Sequence, residues 1–248
     1  MSGPTSGIPP LAPYTEALTD YHRGNLNAQL TLYSSLGEYD DIPVSVFFRG
    51  PDEFFPFDSA ALEVCTGRVL DAGAGTGVHA LELQAVGIDV VAVDSMPECV
   101  AIMRERGVYQ ARCANMFALD DERFDCVLMM MNGVGPVGTL AGLDRFLARA
   151  GNLLEPGGQV IVDSGEVKQS KRPGDAPRID WPPSESGYVG ESWIQLGYNG
   201  RFGGFFRELY VDARTLRNHA DRAGWSTQVI YQGDDGEFVA TLRPAAAR

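Results

Sequence analysis

The sequence has little of what would mark a metal, redox or nucleic-acid protein. Only four cysteines and three histidines stand among its 248 residues. Cys65, Cys99, Cys113 and Cys126 lie 34, 14 and 13 residues apart, so no pair has the Cys-x-x-Cys spacing of a zinc ribbon or a dithiol redox site. They read as reduced thiols, with Cys113 and Cys126 inside buried strands. His22, His79 and His219 are too scattered for a cluster, and no metal is expected. Basic residues are scarce as well: 20 Lys and Arg against 33 Asp and Glu leave a net charge of −13 and a pI of about 4.6. Duplex nucleic acid, bound mainly by cations on phosphates, is excluded as a partner, and so is an anionic membrane surface. No apolar run approaches the roughly 20 residues that cross a bilayer. The opening residues, Met1 to Pro10, have neither the basic nor the apolar region of a signal peptide, so the expected location is the cytoplasm.

What is present is one enzyme-sized domain with an unusual leader. Residues 1 to about 12, with Pro4, Pro9 and Pro10, read as a mobile tail. A helical pattern is expected from Pro13 to Leu36, followed by short turns around Val44, Val46, Phe47 and Phe48. Residues 1–66 hold nine acidic residues against two basic ones, Arg23 and Arg49, so a quarter of the chain carries more than half of its net charge. From there apolar runs alternate with helical stretches, the pattern of a parallel sheet covered by helices on both faces. Strands are expected at Arg68 to Ala72, Ile88 to Asp94, Tyr109 to Cys113, Asp125 to Met131 and Gln159 to Asp163. The helix after the second strand has Ser95 as its cap, Glu98 completing a capping box and Pro97 in the first turn. Gly165 to Gly187 reads as a loop. Tyr188 to Tyr198 and Phe202 to Val211, flanking Asn199-Gly200, read as an inserted hairpin. Asp212 caps a helix ending at Gly224, and Trp225 to Tyr231 with Glu237 to Leu242 close the chain as an antiparallel pair.

The most informative stretch is Val69 to Gly77, Val-Leu-Asp-Ala-Gly-Ala-Gly-Thr-Gly, where a buried strand runs through a glycine turn into a helix. Glycines there let a ligand approach the backbone. The dinucleotide fingerprint would need a third glycine where Val78 stands, and Asp71 suits a ligand with a positive amino group better than a pyrophosphate. Asp94, at the end of the next strand, is placed to accept both hydroxyl protons of a ribose.

With these features the chain resembles the class I S-adenosylmethionine-dependent methyltransferases. Four motifs in order carry the resemblance over about residues 65–164: the Val69–Gly77 loop, Asp94, Phe124-Asp125-Cys126-Val127-Leu128 leading to Asn132-Gly133, and Leu153-Leu154-Glu155-Pro156-Gly157-Gly158. The sequence departs from the family where many members carry Asp after the third strand and this one has Ala114-Asn115-Met116-Phe117. The resemblance implies a three-layer α/β/α Rossmann-like sandwich. Its sheet would be seven-stranded and mostly parallel with an antiparallel last strand, joined by an N-terminal helical segment and the inserted hairpin as a lid. Residues 1–66 would form tail and cap. Residues 67–248 would form the cofactor domain, with the insertion at about 165–211.

The implied cofactor is S-adenosyl-L-methionine, leaving as S-adenosyl-L-homocysteine. Its methionine part would lie against Asp71, Ala72, Gly73, Gly75 and Gly77, its ribose against Asp94 and Ser95. Its adenine would meet Asn115 and Met116, and Met131 and Asn132 would stand near the reacting end. Such a cofactor carries its own activated methyl, so the protein has mainly to position an acceptor in line with it. His22 and Asn132 are the candidates for catalysis, and Tyr14, Tyr21, Tyr33, Arg49, Asp163 and Glu166 for binding substrate. The acidic, aromatic cover points to a small-molecule or peptide acceptor, neutral or cationic, methylated on oxygen or nitrogen. A binding protein that kept the fold without the chemistry, and a nicotinamide oxidoreductase, are the alternatives.

Overall fold

The computed structural model of the protein describes residues 7–37, 39–119, 122–166, 179–183 and 186–245. The chain opens with α1 (Ala12–His22), β1 (Gln29–Ser34), β2 (Tyr39–Pro43) and α2 (Pro56–Glu63). It continues through β3 (Arg68–Ala72), α3 (Val78–Ala85), β4 (Asp89–Asp94), α4 (Pro97–Arg106), β5 (Ala111–Cys113) and β6 (Phe124–Met129). Next come α5 (Leu140–Ala150), β7 (Leu154–Ser164), β8 (Glu191–Tyr198), β9 (Arg201–Phe202) and β10 (Phe206–Leu209). The chain closes with α6 (Ala213–Arg222), β11 (Trp225–Gln232) and β12 (Phe238–Pro244). Among the described residues no helix is long and apolar enough to cross a membrane.

Seven strands form one sheet in the order β11-β12-β7-β6-β3-β4-β5. β3 to β7 run parallel, and β12 enters antiparallel between β7 and β11. The central strands are buried on both faces, which is why they read as unbroken apolar runs: Val90 to Val93 and Val160 to Val162 are all nearly inaccessible. Helix α5 covers one face with Leu143, Phe146, Leu147 and Ala150, and Thr139 caps it by accepting from the Gly142 N–H. Asp212 caps α6 in the same way, accepting from the Thr215 N–H at 2.9 Å.

The leader departs from its expected form. The helix expected over Pro13 to Leu36 stops at His22, because Gly24 turns the backbone at φ +110° and Gln29–Ser34 then alternates with the period of a strand. β1 pairs with β2 and with β8, giving a second, antiparallel sheet in the order β10-β8-β1-β2, with β9 hydrogen-bonded to β8. The inserted hairpin and the leader therefore share one sheet. Its inner face, with Leu30, Ile194, Leu196 and Tyr198, is buried in one cluster with Ala17 and Leu18 of α1 and Cys99 and Ile102 of α4. The expected tail is partly ordered against the hairpin: the Gly204 N–H donates to the Ile8 carbonyl at 3.0 Å. Residues 1–6 lie outside the described residues. Of the expected loop from Gly165 to Gly187, residues 167–178 and 184–185 also lie outside them, and the remainder forms no helix or strand.

Two smaller expectations are corrected. Ser95 does not cap α4. Met96 holds the cap position without a side-chain bond, and Asp94 Oδ1 takes the Met96 N–H at 2.8 Å, so Asp94 does what the capping box was expected to do. Cys113 is exposed, because β5 is a three-residue edge strand, whereas Cys65, Cys99 and Cys126 are buried free thiols.

Candidate active site

Strand order reverses between β3 and β6, so the loops leaving the carboxyl ends of β3 and β6 diverge and open a crevice there. On its β3 side the glycine turn is held down by the Val93 carbonyl, which accepts from the N–H groups of Gly73 and Ala74 at 2.8 and 3.0 Å. Gly73 (φ +79°) and Gly75 (φ +55°) sit in the left-handed region that side chains disfavour. A Cβ on Gly73 would meet nothing within 4 Å, while one on Gly75 would stand 3.3 Å from the Tyr14 hydroxyl. The turn thus presents bare backbone to open space at one glycine and to the leader's tyrosine at the next.

Two carboxylates border this turn. Asp94 Oδ2 accepts from the Gly75 N–H at 2.9 Å, tying the end of β4 to the loop. Burial pushes the Asp94 carboxyl above its ordinary range, against the pull of the Met96, Gly75 and Ser95 N–H groups. Asp71, at the end of β3, is almost inaccessible, and among the described residues its Oδ2 has no hydrogen-bond partner. Burial pushes its carboxyl up to about 6, with His79 nearby working the other way. Tyr14 is partly buried beside them, and burial, with Cys99 and Asp94, raises its phenol well above the usual value.

The β6 side ends in a tight turn. Met131 (φ 66°) and Asn132 (φ 57°) both adopt left-handed backbone, uncommon outside glycine and more so for methionine than for asparagine. Asp163, near the end of the neighbouring β7, secures the turn: its two oxygens accept from the N–H groups of Asn132 (3.0 Å) and Gly133 (2.8 Å). Burial nevertheless pushes the Asp163 carboxyl up to about 6. The Asn132 side chain is held between two elements. Its Oδ1 accepts from the Ser164 hydroxyl at 3.1 Å, and its Nδ2 donates to Glu208 Oε2 of β10 at 3.4 Å. The Tyr210 hydroxyl donates to the same Glu208 oxygen at 3.1 Å.

Beneath the crevice, Asp58 of α2 is fully buried between Arg49 and His79. Arg49 Nη2 lies 2.7 Å from Asp58 Oδ1 with Nε on Oδ2 at 3.0 Å, and His79 Nε2 lies 2.8 Å from Oδ1. Burial alone would raise the Asp58 carboxyl, but His79 and Arg49 outweigh it and hold it below the ordinary value. Arg49 also reaches Met131 Sδ at 3.2 Å, so the leader touches the β6 turn from below.

The structure brings together Tyr14, Asp71, Ala72, Gly73, Gly75, Gly77, Asp94, Met131, Asn132 and Asp163 around the carboxyl ends of the strands. Other residues singled out from the sequence lie elsewhere. His22 pairs with Glu105 on α4 at 2.8 Å, and Tyr21 packs on Phe48 with ring centroids 4.7 Å apart. Tyr33 alternates to the face opposite Leu30 and stacks on Tyr39 at 5.1 Å. Glu166 is exposed beside the Gly236 turn. Arg49 is engaged by Asp58. Asn115 Oδ1 accepts from the Phe117 N–H and shapes the turn after β5, with Met116 buried beside it and Ser95 exposed across the β4 end. Glu208, Tyr210 and Ser164 were not singled out. The one local signal for Glu208 was a lone acid in a segment with three aromatic residues, Phe205-Phe206-Arg207-Glu208-Leu209-Tyr210.

A model of the methyltransferase domain family matches residues 69–158. Among solved structures, a SAM-dependent methyltransferase from Bacteroides fragilis, in complex with S-adenosyl-L-homocysteine, superposes with a TM-score of 0.82 at 32% identity, covering 99% of this chain and 98% of that one. The chain belongs to the class I S-adenosylmethionine-dependent methyltransferases. Two curated relatives are similar over a shorter span. The ubiquinone biosynthesis O-methyltransferase of Azorhizobium caulinodans is 34% identical over 44% of this chain and 45% of its own length. The demethylmenaquinone methyltransferase of Mycobacterium sp. strain KMS is 33% identical over 53% of this chain and 57% of its own. The chain thus spans about half the length of the curated relatives it matches.

Membership sets aside the nicotinamide reading, and the crevice of this methyltransferase suits the family's cofactor. The unpartnered Asp71 Oδ2 offers an acceptor to an ammonium, which the same buried carboxylate could not offer to a phosphate. A Cβ on Gly73 would meet open space, where the methionine part would lie, and Asp94, whose oxygens accept from the Gly75 and Met96 N–H groups, would be the acid beside the ribose.

Proposed function

We propose that the protein transfers a methyl group from S-adenosyl-L-methionine to an oxygen or nitrogen of a small-molecule or peptide acceptor, neutral or cationic, bound beneath the second sheet. The observation that carries this reading is the meeting of two half-sites over one crevice: Asp71, Gly73 and Asp94 on the β3 side, and the strained Met131-Asn132 turn with its polar partners on the β6 side. In this reading residues 67–248 hold the cofactor, while residues 1–66 and the insertion at about 165–211 cover it. Tyr14 closes the cofactor end of that cover, and Glu208 and Tyr210 close the acceptor end. The cofactor supplies an activated methyl on a sulfonium, so no group on the protein has to activate it. What the chain supplies is position, a turn held rigid by Asp163, and a cover that keeps water from the reacting atoms. The relatives named for ubiquinone biosynthesis and demethylmenaquinone support a small-molecule acceptor. Free, unpaired cysteines agree with a cytoplasmic setting.

The test is incubation with methyl-labelled S-adenosyl-L-methionine and a panel of phenols, amines and short peptides. Release of S-adenosyl-L-homocysteine in step with label on an acceptor is expected. A protein that binds the cofactor yet labels none of them would be a binding protein on this fold.

A further inference from the structure

β5 and β6 run parallel in the sheet, with β4 and β3 between them. A crossover of this kind usually carries a helix over the sheet. Here it consists of residues 114–123, and among the described ones the chain makes only the short 3-10 turn Met116–Ala118. The flank of α5 that a crossover helix would cover is left open. Between that flank and the turn lies a cavity of about 360 Å³.

Most of its wall is apolar. Met116, Phe117 and Leu119 line it from the connection, and Val137, Phe146 and Leu153 from the other side. Phe117 and Phe146 meet edge to face with ring centroids 6.2 Å apart, and Phe117 is 38% exposed, a large ring left in contact with water. The polar lining is of another kind: Arg145 and Arg149, one helical turn apart on α5, with Asn152 beyond them. Both arginines are exposed, and among the described residues neither makes an ion pair or a hydrogen bond. Asp144, the acid next in sequence, is bonded to His219 of α6 at 2.6 Å. No described acid lines the cavity.

Like charges at i and i+4 destabilise a helix. Arg149, in the last turn of α5, gains from the helix dipole, but Arg145 lies further in, where that effect has faded. Other arginines of this acidic chain are engaged: Arg49 by Asp58, Arg68 by Glu122, and Arg106 by the Thr76 carbonyl. Arg145 and Arg149 thus put two unpaired positive charges at an apolar cavity. None of Asp71, Gly73, Asp94, Met131 and Asn132 lines it, so it is not the crevice described above.

The geometry points to a second ligand site on the flank of α5, for an apolar molecule that ends in one carboxylate. Phe117, Phe146 and Leu153 take the apolar body. The guanidinium groups of Arg145 and Arg149 take the carboxylate, to which arginine is matched in charge and in planar shape, and the anion relieves their repulsion on the helix. The volume is that of a small-molecule site. This site goes beyond the methyl-transfer reading and does not rest on it.

The experiment titrates the full chain calorimetrically with 2-naphthoate and with octanoate, each beside its neutral amide, with and without saturating S-adenosyl-L-homocysteine. At least one carboxylate is expected to bind one-to-one and more tightly than its amide, in both conditions. Arg145→Gln with Arg149→Gln should weaken that carboxylate by about tenfold or more, the loss of charged hydrogen bonds, and leave the amide and S-adenosyl-L-homocysteine unchanged. Arg145→Lys with Arg149→Lys, which keeps the charge, should retain the preference for carboxylate over amide, and this separates recognition from a folding defect. Carboxylates that fail to bind, that bind no better than their amides, or that keep their preference in the double glutamine variant would overturn the proposal. Expulsion of the carboxylate by S-adenosyl-L-homocysteine would overturn it too, by making the cavity part of the cofactor's site. Should S-adenosyl-L-homocysteine itself fail to bind, the cofactor reading falls, while the titrations of the free chain still decide this one.

Discussion

Asp71 ends β3 with one oxygen unpartnered and its carboxyl pushed up to about 6 by burial. The raised value means that the folded protein without cofactor disfavours the charged form. Between the ordinary carboxyl pKa and about 6 the fold holds a proton that the unfolded chain releases, so this residue's contribution to stability falls as pH rises through that window. Asp163, also raised to about 6, acts in the same direction. A cofactor ammonium placed at Asp71 would reverse this preference by stabilising the charged form, so binding would release a proton and tighten as pH rises. Affinity for S-adenosyl-L-homocysteine should be about tenfold weaker near pH 5 than near pH 7, and Asp71→Asn should flatten that dependence. Calorimetry at both pH values checks it. An equal slope in wild type and variant would place the ammonium elsewhere.

At the scale of elements, the Arg49–Asp58–His79 cluster joins the leader, α2 and the first turn of α3 under the cofactor loop. Asp58→Ala would leave the Arg49 guanidinium buried without its carboxylate, and should destabilise the protein by about 3–5 kcal/mol. Urea unfolding would show this as a lower midpoint at an unchanged slope. An unshifted midpoint would mean that the cluster relaxes to water and does not hold the elements together. Much of the cofactor half of the molecule was legible in the sequence because its signals are local. The run Val90 to Val93 is apolar on both faces, and the glycine turn, Asp94 and Pro156-Gly157-Gly158 each stand within a few residues of the strand they punctuate. The second sheet was not legible. β1 pairs with a strand more than 150 residues further on, through contacts such as Leu32 opposite Leu196, and no local pattern announces such a partner. The helical reading of the leader failed at the same point: the strand period of Gln29–Ser34 needs β8 beside it to outweigh a continued helix. Glu208, Ser164 and Tyr210 were overlooked for a related reason, since they become a site only when β7 and β10 bring them to Asn132.

The whole molecule joins a seven-stranded, mostly parallel sheet, whose strands end at the crevice, to an antiparallel sheet that packs on α1 and α4 and meets the turn after β6 through β10. The acidity of the chain, −13 overall, reaches the carboxyl ends of the strands in Asp71, Asp94 and Asp163, and suits a cofactor that brings positive charge. The central claim is that this crevice holds S-adenosyl-L-methionine. Calorimetric titration of the full chain with S-adenosyl-L-methionine and S-adenosyl-L-homocysteine, beside NAD and NADP under the same conditions, tests it most directly. The account predicts saturable one-to-one binding of both sulfur compounds and none of either nicotinamide; heat from a nicotinamide alone, or from none of the four, would contradict it.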